Sequence, residues 1–122
     1  MINKINLFNF GSPAFIVSIS TKIFPKVAIE GDYVMREGEY AEEMYFIKEG
    51  EVEVLATDGQ TRIAVLRQGA YFGEIGLLIT GKRTVSVRAL TYCIFEVIDK
   101  ENFQDIMETY PEHFAFLLKV AK

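Results

Sequence analysis

The 122-residue sequence carries 13 basic and 17 acidic side chains, a formal net charge of -4, and is 50% apolar and 25% charged. That length allows one domain with one core, and the composition is that of a globular chain rather than a disordered one. The negative balance excludes a general attraction to nucleic acid or to an anionic membrane surface, so any anion has to be held by a local site.

In chain order, Ser12-Pro13 reads as a helix N-cap followed by proline at the first helical position, where a missing N–H costs nothing. Phe15, Ile16, Ile19 and Ile23 follow near helical spacing, which predicts a short amphipathic helix over 13–22. The apolar run from Ala14 to Ile19 falls far short of the ~20 residues that span a bilayer, and the start lacks the pattern of a secretory signal. From Lys26 the period changes. Short segments rich in Val, Ile, Tyr and Phe are punctuated by Gly31, Gly38, Gly50, Gly59, Gly69, Gly73, Gly76 and Gly81, the rhythm of about eight antiparallel strands. Glu51-Val52-Glu53-Val54, Thr57-Asp58-Gly59-Gln60 and Arg62-Ile63-Ala64-Val65-Leu66 predict a β-hairpin, since Asp-Gly favours the positive φ angles of a tight turn. Asp99 as N-cap, Glu101 in the first turn, and Phe103, Ile106, Met107 and Tyr110 at i, i+3, i+4 and i+7 predict a second helix. Pro111 breaks it and can start another, whose face is marked by Phe114, Leu117, Leu118 and Ala121.

The segment richest in chemistry is Tyr71-Phe72-Gly73-Glu74-Ile75-Gly76-Leu77-Leu78-Ile79-Thr80-Gly81-Lys82-Arg83-Thr84-Val85-Ser86-Val87. A strand ends at Phe72, glycine lets the backbone approach a ligand closely, and Glu74 to Leu78 suits a single helical turn. Exposed N–H groups at such a turn make an anion site, and Arg83, nine residues beyond Glu74, can return to face it. A planar guanidinium matches two oxygens of one phosphate. Glu74 beside a phosphate would repel it unless the carboxylate had a hydroxyl donor, so Glu74 with Arg83 describes a site for a phosphate cyclised on a ribose with a free 2′-OH. An ordinary Glu74–Arg83 ion pair at the rim of a sheet is the alternative.

Phe72-Gly73-Glu74-Ile75-Gly76-Leu77-Leu78 followed by Arg83-Thr84-Val85-Ser86-Val87 resembles the phosphate-binding cassette of cyclic-nucleotide-binding domains. Gly31-Asp32-Tyr33-Val34-Met35-Arg36-Glu37-Gly38 and Met44-Tyr45-Phe46-Ile47-Lys48-Glu49-Gly50 resemble early strands of the same family. Arg83 through Ala89, Thr91-Tyr92-Cys93 and Tyr110-Pro111 are similar to the cytoplasmic domains of cyclic-nucleotide-gated and hyperpolarisation-activated cation channels. The resemblance implies a mainly β fold, an eight-stranded antiparallel jelly-roll-like β-roll with an N-terminal helix, a short phosphate-binding helix and two C-terminal helices. It implies one domain over 1–122, divided into a helical segment (1–24), the roll (25–98) with its cassette (72–87), and the closing helices (99–122), the last of them truncated. It also implies roles. Arg83 pairs with the cyclic phosphate of cAMP or cGMP, and Glu74 accepts from the ribose 2′-OH. Backbone N–H groups around Gly73, Ile75 and Gly76 complete the cradle, with Phe72 leading into it. Thr84 sits near phosphate and purine, and Val54, Ala64 and Leu66 line the base pocket. Gly76 departs from channel relatives, which often carry a small side chain there; extra backbone freedom is the expected consequence.

The remaining residues carry less. His113 is the only histidine, so no histidine cluster can build a metal site, and no cofactor or catalytic residue is expected. Cys93 reads as a buried, inert thiol, compatible with a reducing compartment. Glu42, Glu43, Glu49, Glu51 and Glu53 read as a solvated strand face. The function implied is the sensor domain of a channel pore that assembles as a tetramer, on the cytoplasmic side of a membrane. Direct membrane insertion of this fragment and nucleic-acid binding are not expected. Rivals are a domain of the same fold that binds no nucleotide, or the sensor of a kinase regulatory subunit or transcription factor.

Overall fold

The computed structural model describes residues 13–74 and 76–111. Helix α1 (Pro13–Ser20) precedes eight strands: β1 (Phe24–Ala28), β2 (Tyr33–Met35), β3 (Glu43–Glu49), β4 (Glu51–Leu55), β5 (Arg62–Arg67), β6 (Tyr71–Phe72), β7 (Ser86–Ala89) and β8 (Cys93–Asp99), after which comes helix α2 (Lys100–Thr109). The strands form two four-stranded antiparallel sheets, ordered β1-β8-β3-β6 and β2-β7-β4-β5. This is the expected antiparallel β-roll. Among the described residues no helix is long and apolar enough to cross a membrane. Ser12, Ile75, His113 and the stripe Phe114, Leu117, Leu118 and Ala121 lie outside the described residues, as do the side chains of Phe15 and Ile16.

The two faces of the first sheet explain why Met44, Tyr45, Phe46 and Ile47 of β3 are all buried. Successive strand residues point to opposite sides. Tyr45 and Ile47 enter the core between the sheets with Val52, Phe72, Val87, Phe95 and Val97. Met44 and Phe46 meet the helices, packing with Ile19, Ile98, Phe103, Ile106 and Met107. A sheet covered on both sides reads as a continuous apolar run rather than an alternating one. Of the residues that mark the predicted helix faces, Ile19 of α1 is fully buried and Ile23 packs beside it, while Phe103, Ile106 and Met107 anchor α2. Asp99 caps α2 as expected, its carboxylate accepting from the Asn102 N–H at 2.9 Å.

The hairpin of β4 and β5 has the predicted strands but a different turn. Val54 faces Ala64, Leu55 faces Arg62, and the register shifts between them, so the loop runs over residues 56–61. Only Gly59 has a positive φ, +74°, and Asp58 does not. The Asp58 carboxylate instead accepts from the Gln60 and Thr61 N–H groups and the Thr61 hydroxyl. Those bonds, the Thr61 hydroxyl first, lower its pKa to about 2. An aspartate that satisfies the loop backbone with its side chain can close a longer turn without left-handed geometry at its own position.

Glu53 corrects the expectation of a solvated acidic face. It is only 5% exposed. Its carboxylate accepts from Arg62 Nε at 3.1 Å and from Arg88 Nη2 at 2.6 Å, the latter on the residue directly across from it in β7. A buried carboxylate is tolerable when charged donors satisfy it, and the Arg88 bond foremost holds it below its ordinary value of 4.5. A folded-state pKa below the unfolded value means stability that is present above about pH 4.5 and lost as pH falls through the lowered value. Glu53→Gln is therefore expected to destabilise the domain by about 1 kcal/mol at pH 7, both arginines being partly solvated. Thermal melts from pH 7 to pH 3 check it: the gap between the two proteins should close toward the acid end.

Candidate ligand-binding site

Strand β6 ends at Phe72, whose ring stacks on Tyr45 at 4.9 Å and meets Phe95 edge-on at 5.8 Å. This cluster fixes the base from which the next segment departs. Gly73 takes a φ of +93°, and a Cβ there would stand 3.2 Å from Arg83 Nη1 and 3.3 Å from the Glu43 carbonyl oxygen. Both conformation and space therefore call for glycine. After Glu74 the chain makes a wide turn over Gly76–Thr80, closed by the Gly81 N–H donating to the Gly76 carbonyl at 2.8 Å. The helical turn expected over Glu74 to Leu78 begins there, Glu74 being helical, but it is wider than a single α-helical turn and runs on to Thr80. Gly81, at a φ of +76°, reverses the chain, while the Thr80 hydroxyl donates to the Lys82 carbonyl.

The return brings Arg83 against the segment before β3. Its N–H donates to the Glu39 carbonyl at 2.7 Å, and its carbonyl accepts from the Gly38 N–H at 2.8 Å. The side chain turns inward and is 5% exposed. Nη1 donates to the Gly73 carbonyl at 2.8 Å, and Nη2 donates to the Glu43 carbonyl at 2.6 Å. Both acceptors are neutral. Neither Glu74 nor any other described carboxylate forms an ion pair with Arg83. The rim ion pair that the sequence left open is absent from this structure.

Arg83 and Glu74 instead share a cavity of about 210 Å³ with Met35, Val54, Leu66, Tyr71, Phe72, Gly73, Gly76, Thr84, Val85 and Val87. Its walls are largely aliphatic and aromatic, with charge confined to the end formed by the turn. Burial pushes the Glu74 carboxyl above its ordinary value of 4.5, while the nearby Arg83 charge pulls the other way. Burial, and then the Glu43 carboxylate that accepts from its hydroxyl, raise Tyr45 well above the usual phenol range. The cavity can therefore take one small molecule that is anionic at one end and apolar-faced at the other.

Of the residues named from sequence, Phe72, Gly73, Glu74, Gly76, Arg83, Thr84, Val54 and Leu66 line one cavity. Ala64 sits opposite Val54 in the hairpin but is not among the lining residues. Ile75 lies outside the described residues. Met35, Tyr71, Val85 and Val87 were missed. A signal existed for two of them: Arg83, Val85 and Val87 stand at i, i+2 and i+4, the spacing of one strand face. Gly76 also departs from expectation. It has no positive φ, so backbone freedom is not its use; a Cβ there would lie 2.5 Å from the Ala41 Cβ.

This fold and this turn match a known class. The family model for the cyclic nucleotide-binding domain matches residues 26–110, and the chain belongs to that family. The chain is 42% identical over 112 residues to the potassium/sodium hyperpolarization-activated cyclic nucleotide-gated channel 4 of Homo sapiens, covering 91% of this chain and 9% of that protein. It is 35% identical over 127 residues to the cyclic nucleotide-gated channel rod photoreceptor subunit alpha of Gallus gallus, covering 99% of this chain and 20% of that protein. A solved structure of cAMP-bound PfPKA-R superposes with a TM-score of 0.76 at 33% identity, over 82% of this chain and 36% of that one. The chain thus spans a small fraction of the channels it resembles.

Proposed function

We propose that this domain binds a cyclic purine nucleotide, cAMP or cGMP, and is the ligand-sensing part of a cyclic-nucleotide-regulated cation channel that assembles as a tetramer. The single observation that carries the binding reading is Arg83: a buried guanidinium whose two hydrogen-bond acceptors are neutral carbonyls, lining a cavity with the Glu74 carboxylate nearby but not bonded to it. A buried charge whose hydrogen bonds all go to neutral acceptors is only partly compensated. A ligand carrying one negative charge at that end would balance it, and a cyclic phosphodiester carries one.

The guanidinium has five N–H donors, of which two are spent on Gly73 and Glu43. The other three remain to meet phosphate oxygens without breaking either bond. Glu74 accepts from the ribose 2′-OH, N–H groups around Gly73, Ile75 and Gly76 close around the phosphate, and Thr84 lies between phosphate and purine. The purine lies along Val54 and Leu66, with Ala64 opposite Val54 in the hairpin rather than in the wall. Glu74, the one carboxylate among the described residues that line the cavity, is assigned to binding rather than to proton transfer, and the domain acts as a sensor and not as an enzyme. Attachment to a channel pore rests on the similarity to the two channels.

Calorimetry with cAMP and with cGMP tests the reading. Saturable heat and a ligand-dependent rise in melting temperature are expected. No heat and no shift at millimolar nucleotide would leave a roll of the same fold with a different use.

A further inference from the structure

Gly76 invites an explanation because its backbone does not ask for glycine. Gly73 and Gly81 adopt positive φ, which side chains rarely tolerate, but Gly76 does not. What excludes a side chain there is one neighbour: an added Cβ would stand 2.5 Å from the Ala41 Cβ, with the next atom, Arg83 Nη1, at 3.3 Å and Ala41 Cα at 3.8 Å. Ala41 is itself buried, at 2% exposure. It is tied to the far end of the same turn, its N–H donating to the Gly81 carbonyl at 2.9 Å, while the Gly81 N–H donates back to Gly76. The segment carrying Ala41 leads directly into Glu43, whose carbonyl accepts from Arg83.

We infer that the Ala41 methyl and the bare α-carbon of Gly76 are a size-matched pair that sets how closely the phosphate-binding turn sits against Arg83, which makes Ala41 a positioning residue for the ligand site. The inference rests on the cyclic nucleotide reading for its functional half and on geometry alone for the contact. Ordinary van der Waals contact begins near 3.4 Å, so a methyl at 76 moves the turn outward unless Ala41 yields. Ala41 is held on the turn by its own N–H and has no rotatable side chain to yield with. The overlap lies between two side-chain positions, so it is exchangeable: removing the methyl at 41 makes room for one at 76. Arg83 Nη1, the end of a long side chain, can give the few tenths of an ångström that remain.

Four proteins decide it: the parent, Gly76→Ala, Ala41→Gly, and the double variant Ala41→Gly/Gly76→Ala. Melting without ligand reads the contact. Gly76→Ala should lower the melting temperature by about 4–8 °C, and the double variant should recover to the level of Ala41→Gly alone. Calorimetry with cAMP and cGMP reads the positioning. Gly76→Ala should weaken binding about tenfold, Ala41→Gly should weaken it less by loosening the seat of the turn, and the double variant should bind several-fold more tightly than Gly76→Ala alone. Rescue of affinity by a second substitution that deletes a methyl is not what a general loss of stability would give. Additive melting effects, or a folded Gly76→Ala that binds as the parent does, overturn the pair. A parent that binds neither nucleotide overturns the positioning role together with the nucleotide reading, while the melting cycle still reports the contact by itself.

Discussion

Arg83→Ala is expected to weaken cyclic nucleotide binding by about 2–4 kcal/mol, the loss of a charge-assisted, forked contact to phosphate. The structure adds a second consequence. Arg83 bridges the Gly73 and Glu43 carbonyls, so alanine leaves two carbonyls without a donor and opens space beside the turn. Against that, the unliganded domain no longer buries a charge whose hydrogen-bond acceptors are both neutral, and these opposed terms keep the change in its melting temperature smaller than the change in affinity. Arg83→Lys separates charge from geometry. An ammonium keeps the charge but is a point donor on a flexible stem, and it cannot hold two carbonyls and two phosphate oxygens at once. Its affinity should fall between the parent and the alanine variant. Calorimetry of the three proteins, with melts at saturating and zero nucleotide, makes the measurement. Unchanged affinity in a folded Arg83→Ala would mean that the anion is held elsewhere.

How much of this was legible in the sequence follows from the range of the interactions involved. Local signals were sufficient where local chemistry decides the structure. Asp99 announces the start of α2 because a cap is satisfied within three residues, and the stripe of Phe103, Ile106 and Met107 gives its buried face. The eight short strands follow from β-rich segments between glycines. Arg83 and Glu74 could be paired because one turn separates them. What the sequence hid depends on partners distant in the chain. Glu53 looks like one of several alternating acids; only the pairing of β4 with β5 and β7 reveals the two arginines that bury it. Met35 joins the cavity wall through its register with Val87, which its own neighbours do not encode. The turn after Gly73 begins at Glu74, where a glycine and a carboxylate suggest a helix start, but its width and its run to Thr80 were not legible. Those depend on Ala41, more than thirty residues upstream, and on the reversal at Gly81.

Glu74→Gln is expected to move stability and affinity in opposite directions. Burial holds the Glu74 carboxyl above 4.5, so the folded domain favours its protonated form. For a group with a raised folded-state pKa, the associated stability is full below the unfolded value and is lost as pH rises through the raised one. At pH 7 the ionised Glu74 therefore costs stability, and a neutral amide of nearly the same shape should raise the melting temperature of the unliganded domain, with the advantage vanishing near pH 4. Binding should weaken by about 1–2 kcal/mol, because a sugar hydroxyl donating to a carboxylate is exchanged for one donating to an amide oxygen. The nucleotide lacking its 2′-hydroxyl identifies the contact. If Glu74 accepts from that hydroxyl, the parent should bind the 2′-deoxy form more weakly than the ribo form, and Glu74→Gln should discriminate between them much less. That is a thermodynamic cycle between one side chain and one ligand group, and its coupling term isolates their contact from every other effect of the substitution. Equal discrimination by both proteins would assign the carboxylate a different partner. A functional carboxylate that destabilises the empty site is the arrangement expected where binding energy, rather than folding, satisfies a buried charge.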